Sequence, residues 1–393
     1  MSSRQNHSSS PSTSQSTVKT SDDGAGKKKP KPPPAKLRPS SSILVLSHTN
    51  QVLLLRRVQT SRSFASAHVF PGGNLSSFHE NETPAPEDPA LHEDSEVYRL
   101  AAVRETFEES GILLAKKAGE GNSGQLLDLP NEVREVGRKL VHENKVRFVD
   151  WLRGVGGVPD LDGLMPFTRW ITPATNPRRF STQMYVYMLP LSPAASSKPA
   201  GSLKQETTTT IIPTPTHDGG LEHTAATFDE PSAWLAKARA GEIILFPPQV
   251  FLLHLVSGLM QGAPPSDSAA LHAHYQAQRD ALVKFLKKTP TTESGGGTGA
   301  KKLHPTALIP WADKAVSPMV LFKRRSDSRL VLGLDKPGPE LKGTTRGGDW
   351  DRVVLVRFLE GPREVEVRWR DEVMREEREA AKREEQDNKE AKL

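Results

Sequence analysis

The chain reads as an α/β protein on three observations. Two apolar runs in SSILVLSHTNQVLLLRR, residues 41–57, flank the turn formers His48, Thr49 and Asn50 and predict a β-hairpin. Apolar residues recur at helical spacing over 96–114 and again over 131–152, predicting two amphipathic helices. The runs RWITP (169–173) and TQMYVYMLPL (182–191) then return the chain to strand.

Composition sets the limits of that core. Only 35% of the 393 residues are hydrophobic and 32 are proline, so a good part of the chain stays outside any packed interior. The Ser-rich opening and the GKKKPKPPPAK after it predict a disordered basic tail over 1–38. The net charge of +6 resides there: residues 1–40 hold eight Lys or Arg against Asp22 and Asp23, and the remainder is neutral. A basic balance confined to a tail argues against a specific nucleic-acid face. With no cysteine, disulfides, thiolate-held zinc and a thiol nucleophile are excluded. The first thirty residues lack the apolar stretch of a secretory signal. The longest apolar run, 243–260, is broken by Pro247, Pro248, Gln249 and His254, which fits a buried strand and helix rather than a membrane span.

After the hairpin comes the turn Phe70-Pro71-Gly72-Gly73, then a polar stretch to Ser95, then the first helix. The second helix presents Val133, Val136, Leu140, Val141, Phe148 and Trp151 for packing. The two strands after it are joined by a loop carrying Arg178 and Arg179, and residues 194–220 are a Pro-, Thr- and Ser-rich insertion. A helix, a short strand and a second helix starting near Pro248 come next, and TTESGGGTGAKK marks a further break. Beyond it SRLVLGL, DRVVLVRFL and REVEVRWR alternate as strands, the last two joined at Glu360-Gly361-Pro362. The end, 372–392, is a solvated helix with Glu379/Arg383 and Glu385/Lys389 pairs. The chain is thus organised as a tail (1–38), a domain over 41–260 with insertions at 76–95 and 194–220, a helix and linker (261–302), a β-rich extension (303–370) and a charged helical tail (371–393).

Chemistry concentrates in RETFEESGI, residues 104–112. On a helix Glu105, Glu108 and Glu109 share one face, about 5–6 Å apart, and three like charges there raise one another's pKa unless a cation sits among them. A hard divalent ion with a preference for oxygen suits the set, magnesium best. Arg104 can pair with a neighbouring glutamate, and Gly111 can end the helix in the left-handed conformation.

These residues resemble the box of the Nudix hydrolases: a glycine, five residues, a glutamate, seven residues, then Arg-Glu, an apolar residue, one residue, Glu-Glu, one residue, Gly and an apolar residue. Gly73, Glu96 and the run from Arg104 to Ile112 take those places, with about seventeen extra residues between Gly73 and Glu96 and Thr106 at the first apolar position. The inserted NETPAPEDPALHEDS is expected to loop out of the strand-to-helix connection. The inserted box, with LLLRR, AHVFPGG, RWITP, PRRFST and GEIILFPPQ, resembles the peroxisomal coenzyme A diphosphatase branch over residues 42–260.

The resemblance implies a Nudix fold, a mixed β-sheet sandwiched between helices, and hydrolysis of a diphosphate in a nucleotide derivative such as coenzyme A. It implies Mg2+, with Mn2+ as a substitute, carried by Glu105, Glu108 and Glu109, one of which, or another carboxylate, takes the proton of the attacking water. Arg178 and Arg179 are candidates for the substrate phosphates, as guanidinium forks match phosphate oxygens. Dinucleotides, nucleotide sugars and capped RNA remain alternatives, as does a binding module without catalysis. The terminal Ala391-Lys392-Leu393 is close to a Ser-Lys-Leu address, which implies a peroxisomal import receptor as partner.

Overall fold

In a computed structural model, residues 33–58, 66–119, 125–191, 223–292, 303–359 and 361–391 are described. The chain divides into Met1–Pro33 and Pro34–Leu393, and all the elements named here belong to the second unit. The insertion expected at 194–220 and most of the expected tail lie outside the described residues. Leu37 and Arg38, which the sequence places in the expected tail, pair with Arg179 and Phe180 as strand.

The predicted hairpin is β1 (Leu37–Leu46) and β2 (Val52–Arg57). Its turn is set by the Ser47 hydroxyl, which accepts the amides of Thr49 and Gln51, and by Asn50 at φ 59°. Then come β3 (His68–Val69), β4 (Gly72–Asn74) and α1 (Glu96–Ser110). A small hairpin, β5 (Ala115–Lys117) and β6 (Gly157–Pro159), brackets α2 (Asn131–His142) and α3 (Phe148–Gly154). The single helix expected over 131–152 is thus two. The amide of Lys145 reaches the Leu140 carbonyl and that of Asn144, at φ 53°, reaches Val141, a Schellman-type stop that turns the chain.

β7 (Met165–Ile171) and β8 (Arg179–Met188) are the two strands predicted next, and β9 (His223–Asp229) adds beside β2. α4 (Pro231–Arg239), α5 (Pro247–Ser257) and α6 (Ser268–Lys287) come after them. The short strand expected before α5 is reduced to one bridge, Ala67 to Ile244. β10 (Ala315–Val316) joins the edge of the first sheet, and β11 (Met319–Lys323), β12 (Leu330–Leu334), β13 (Asp349–Leu359) and β14 (Gly361–Trp369) form an antiparallel second one before α7 (Arg370–Glu390).

The first sheet is mixed. β1 runs parallel to β8 and antiparallel to β2 and β4, in the order β10-β7-β8-β1-β2-β3. Strand alternation feeds two cores. Ile43, Val45, Leu53 and Leu55 meet Tyr98, Val103 and Phe107 of α1 and Phe148 and Leu152 of α3. Leu44, Leu46, Val52 and Leu54 meet Phe251 and Leu255 of α5 and Leu282 of α6. The second core also takes Leu332, Leu334, Val354 and Val356, so the C-terminal strands share the interior of the first sheet rather than forming a separate appendage. Their other face meets Val373 of α7. Among the described residues no helix is long and apolar enough to cross a membrane.

Phe251, with no exposed surface, packs edge-on to Trp170 and tilted to Trp311 within that shared core. Phe251→Ala is expected to cost about 3–5 kcal/mol in urea unfolding, with both sheets melting in one transition.

Candidate functional site

The site is built where β4 passes the start of α1's last two turns. Gly73 stands opposite Ser41 of β1, and a Cβ on it would lie 2.5 Å from the Glu105 carboxylate. A side chain there would push the Glu105 carboxylate out of its place. Gly72 donates its amide to Glu109 Oε2 at 2.7 Å, while Glu109 Oε1 lies 3.6 Å from Nε2 of buried His223 on β9. The turn and the helix are thus joined through the acids themselves.

Arg104 organises the rest. Its Nε donates to Glu80 Oε1 at 2.7 Å, its Nη1 to Glu108 Oε1 at 2.7 Å, and its Nη2 to the Asn74 carbonyl at 3.0 Å, while Nη1 also forms an ion pair with Glu105 Oε1 at 2.9 Å. Burial works against the guanidinium charge, but Glu105, Glu80 and Glu108 outweigh it and hold its pKa above the ordinary value. Glu108 is further fixed by His142, whose Nδ1 lies 3.1 Å from Oε2, and its own carbonyl accepts from Arg138. Burial would raise the Glu108 carboxyl, yet its hydrogen bond with His142 and the Arg104 charge bring it below the usual range. Glu105 goes the other way. Burial pushes it up to about 7 although Arg104 opposes the shift, and Glu108 and Glu80 add to it.

Asn74, Leu75, Ser76, Ser77, His79, Arg104, Glu105, Glu108, Glu109, His142 and Asn144 line a cleft of about 400 Å³. His79 is held neutral, its pKa lowered to about 4 by burial and by Arg104, and its Nδ1 accepts the Phe148 amide. Among the described residues no three His, Asp or Glu side chains converge as a ready-made metal cage. The three candidate ligands offer only oxygen, and one arginine faces three carboxylates, buried Glu80 and Glu108 and half-buried Glu105. That excess of negative charge fits a hard divalent cation that keeps waters in its coordination shell.

Gly111 ends α1 at φ 71°, its amide bonded to the Phe107 carbonyl, as expected. Thr106, at a position expected to be apolar, is buried and returns its hydroxyl to the Ala102 carbonyl, so it leaves no orphan donor. Glu96 is exposed in the first turn of α1, where an acid suits the helix dipole, and it does not line the cleft. Neither Arg178 nor Arg179 lines the cleft either. Arg179 is buried at the start of β8, bonded to the Thr172 and Ala35 carbonyls and to Glu340, so its guanidinium is committed to the fold; Arg178 is exposed beside it. The stretch expected to loop away does not. The turn just before it puts His79 in the cleft lining and Glu80 behind it, and its own Pro89–His92 turn is pinned by Arg169, whose Nη1 and Nη2 reach the Leu91 and Glu93 carbonyls at 2.9 and 2.8 Å. Glu80, His79 and His142 carried no signal in the sequence beyond being polar.

A carboxyl whose folded pKa is raised contributes stability below its unfolded pKa and loses it as pH rises through the folded value. For Glu105 that window runs from about 4.5 to about 7. In calorimetry without metal, Glu105→Gln is expected to melt higher than wild type at pH 8 and about equally at pH 4.5; an equal difference at both pH values contradicts this.

Residues 76–255 match the family model of the NUDT19 Nudix domain. The Caenorhabditis elegans protein "Putative nudix hydrolase 7" is 28% identical over 220 residues, 56% of this chain and 59% of its own length. Two proteins named acyl-coenzyme A diphosphatase NUDT19 are similar too: that of Gallus gallus is 29% identical over 38% of this chain and 50% of its own, and that of Xenopus laevis 28% over 37% and 49%. The chain spans about half the length of these curated relatives. A solved NUDIX hydrolase of Alicyclobacillus acidocaldarius superposes with a TM-score of 0.41 at 24% identity, over 56% of this chain and 90% of that one. With RETFEESGI on α1 against the glycine turn, the chain is similar over residues 76–255 to the NUDT19 Nudix domain and to proteins named Nudix hydrolase and acyl-coenzyme A diphosphatase.

Proposed function

We propose that the protein hydrolyses the diphosphate of coenzyme A or an acyl-coenzyme A to 3′,5′-ADP and (acyl-)phosphopantetheine with Mg2+, or Mn2+ in its place. The observation that carries the reading is one helical turn that sets Glu105, Glu108 and Glu109 on the wall of an open cleft against a glycine turn. When bound, the cation neutralises phosphoryl oxygens and makes a water acidic enough to attack.

The protein's own part is positioning. Glu105, Glu108 and Glu109 are the residues that would hold the cation, and Arg104 fixes the first two. The Gly72 amide fixes the third. The proton of the attacking water passes to one of these carboxylates or to another in the cleft, and the closed sequence of bonds around Arg104 keeps their rotamers from collapsing onto one another. His142, bonded to Glu108, and Asn144 line the same cleft, where the substrate would lie.

The choice of coenzyme A is supported by the names of the two NUDT19 relatives and by the inserted box. Residence in the peroxisome, through an import receptor that reads Ala391-Lys392-Leu393, belongs to the same proposal; Lys392 and Leu393 lie outside the described residues. Dinucleotides, nucleotide sugars and capped RNA are the competing substrates of the same chemistry.

Incubation of pure protein with coenzyme A and Mg2+ is expected to release 3′,5′-ADP and phosphopantetheine, measured by chromatography. A panel in which another diphosphate is cleaved much faster would reassign the substrate, and no turnover on any would support a binding module. Glu109→Gln is expected to lower kcat at least about a hundredfold while the melting temperature holds or rises, as removing one acid relieves the cluster.

A further inference from the structure

We propose that Glu80, delivered by the inserted segment, is a positioning residue for the hydrolysis, holding Arg104 so that Arg104 holds Glu105 and Glu108; this rests on the function proposed above. The inserted segment is then part of the catalytic apparatus rather than an ornament of it.

The geometry is specific. The Glu80 side chain has no exposed surface. One oxygen takes Arg104 Nε at 2.7 Å and the other takes the Ser76 amide at 2.6 Å, so both carboxylate oxygens are used within the fold. The edge of the guanidinium that carries Nε is thereby occupied, which turns Nη1 toward Glu105 and Glu108 at 2.9 and 2.7 Å and Nη2 toward the Asn74 carbonyl. An arginine gripped on one edge has its fork pre-set for the other. Without Glu80, the same fork could rotate onto either catalytic carboxylate with both nitrogens and withdraw it from the cleft.

A buried carboxylate is costly unless it serves its partner. Leu75, Ser76, Ser77 and His79 from the same turn line the cleft while Glu80 sits behind it, so the turn contributes one wall and its support together. The segment is also tied at its far end, where Arg169 of β7 holds the Leu91 and Glu93 carbonyls and the Tyr98 hydroxyl donates to Leu91. Two buried arginines therefore bracket residues 80–93, and the cleft end of that strap cannot drift. By contrast Glu96, eight positions before Arg104 in sequence, is exposed and stands in the first turn of α1 away from the cleft lining.

The test compares Glu80→Gln, Glu80→Asp and Glu96→Gln in the full chain. Readouts are steady-state hydrolysis of coenzyme A with Mg2+, Mn2+ binding followed by the loss of free-ion electron paramagnetic resonance, and thermal melting. Glu80→Gln is expected to lower kcat and Mn2+ affinity by about tenfold or more with KM changed little, as loss of a partner behind a metal ligand does. Glu80→Asp is expected to recover part of both, and Glu96→Gln to stay within about twofold of wild type. If Glu80→Gln fails to fold, Glu80→Asp decides by the same two readouts. Wild-type kcat and Mn2+ affinity in a folded Glu80 variant, or a loss as large in Glu96→Gln, overturns the proposal. Should wild type cleave no coenzyme A while Mn2+ affinity still falls in Glu80→Gln, the substrate reading fails and the positioning role stands.

Discussion

One guanidinium holds the site together. Arg104 is buried among Glu80, Glu105 and Glu108, and removing it would leave three crowded carboxylates without their shared cation. The balance is incomplete, for one positive charge meets three negative ones and the fourth acid, Glu109, leans on a backbone amide and His223. Such a cluster is poor at stabilising a fold and well suited to receiving a divalent ion. The rest of the molecule keeps it from relaxing: the sheet carries β4 past α1, the glycine turn clears room for Glu105, and the inserted segment closes the far side of Arg104.

The fold serves this with two cores. α1 lies on one face of the mixed sheet with its acidic turn against β4, while α5 and the C-terminal strands brace the opposite face. The C-terminal sheet reaches the first through buried leucines and valines and through β10, and Glu340 of that half takes the Arg179 guanidinium at the start of β8. Rigidity behind β1 and β8 is therefore supplied by sequence far beyond α1 and the glycine turn. Ser40 and Thr182, bonded through their hydroxyls, carry the same support across β1 and β8.

Legibility in the sequence tracks the range of the interactions. The hairpin, α1 and its glycine stop are decided within a dozen residues, so the apolar period and the turn residues showed them. The acids on α1 showed for the same reason, since i, i+3 and i+4 spacing is a property of one helix. Glu80 did not, because its meaning depends on Arg104, twenty-four positions away, and its own stretch reads as polar and Pro-rich. Arg179 misled in the opposite sense: an arginine in a loop-like run looks exposed, and only the approach of Thr172, Ala35 and Glu340 makes it a buried anchor. The break between α2 and α3 turned on Asn144 taking a left-handed conformation, a choice a continuous apolar period conceals. The C-terminal strands were visible as strands, whereas their share in the first core needed the third dimension.

Whether the crowded carboxylates form a cation site is tested most directly by the melting temperature as a function of Mg2+, without reference to any substrate. Ligand binding to the native state alone stabilises it by RT ln(1 + [L]/Kd), so calorimetry at pH 8 should show the melting temperature of wild type climbing steadily with log Mg2+, and a double variant Glu105→Gln/Glu109→Gln should be nearly flat at matched ionic strength. A wild-type melting temperature indifferent to Mg2+ and Mn2+ across the millimolar range, or an equal rise in the double variant, would contradict it.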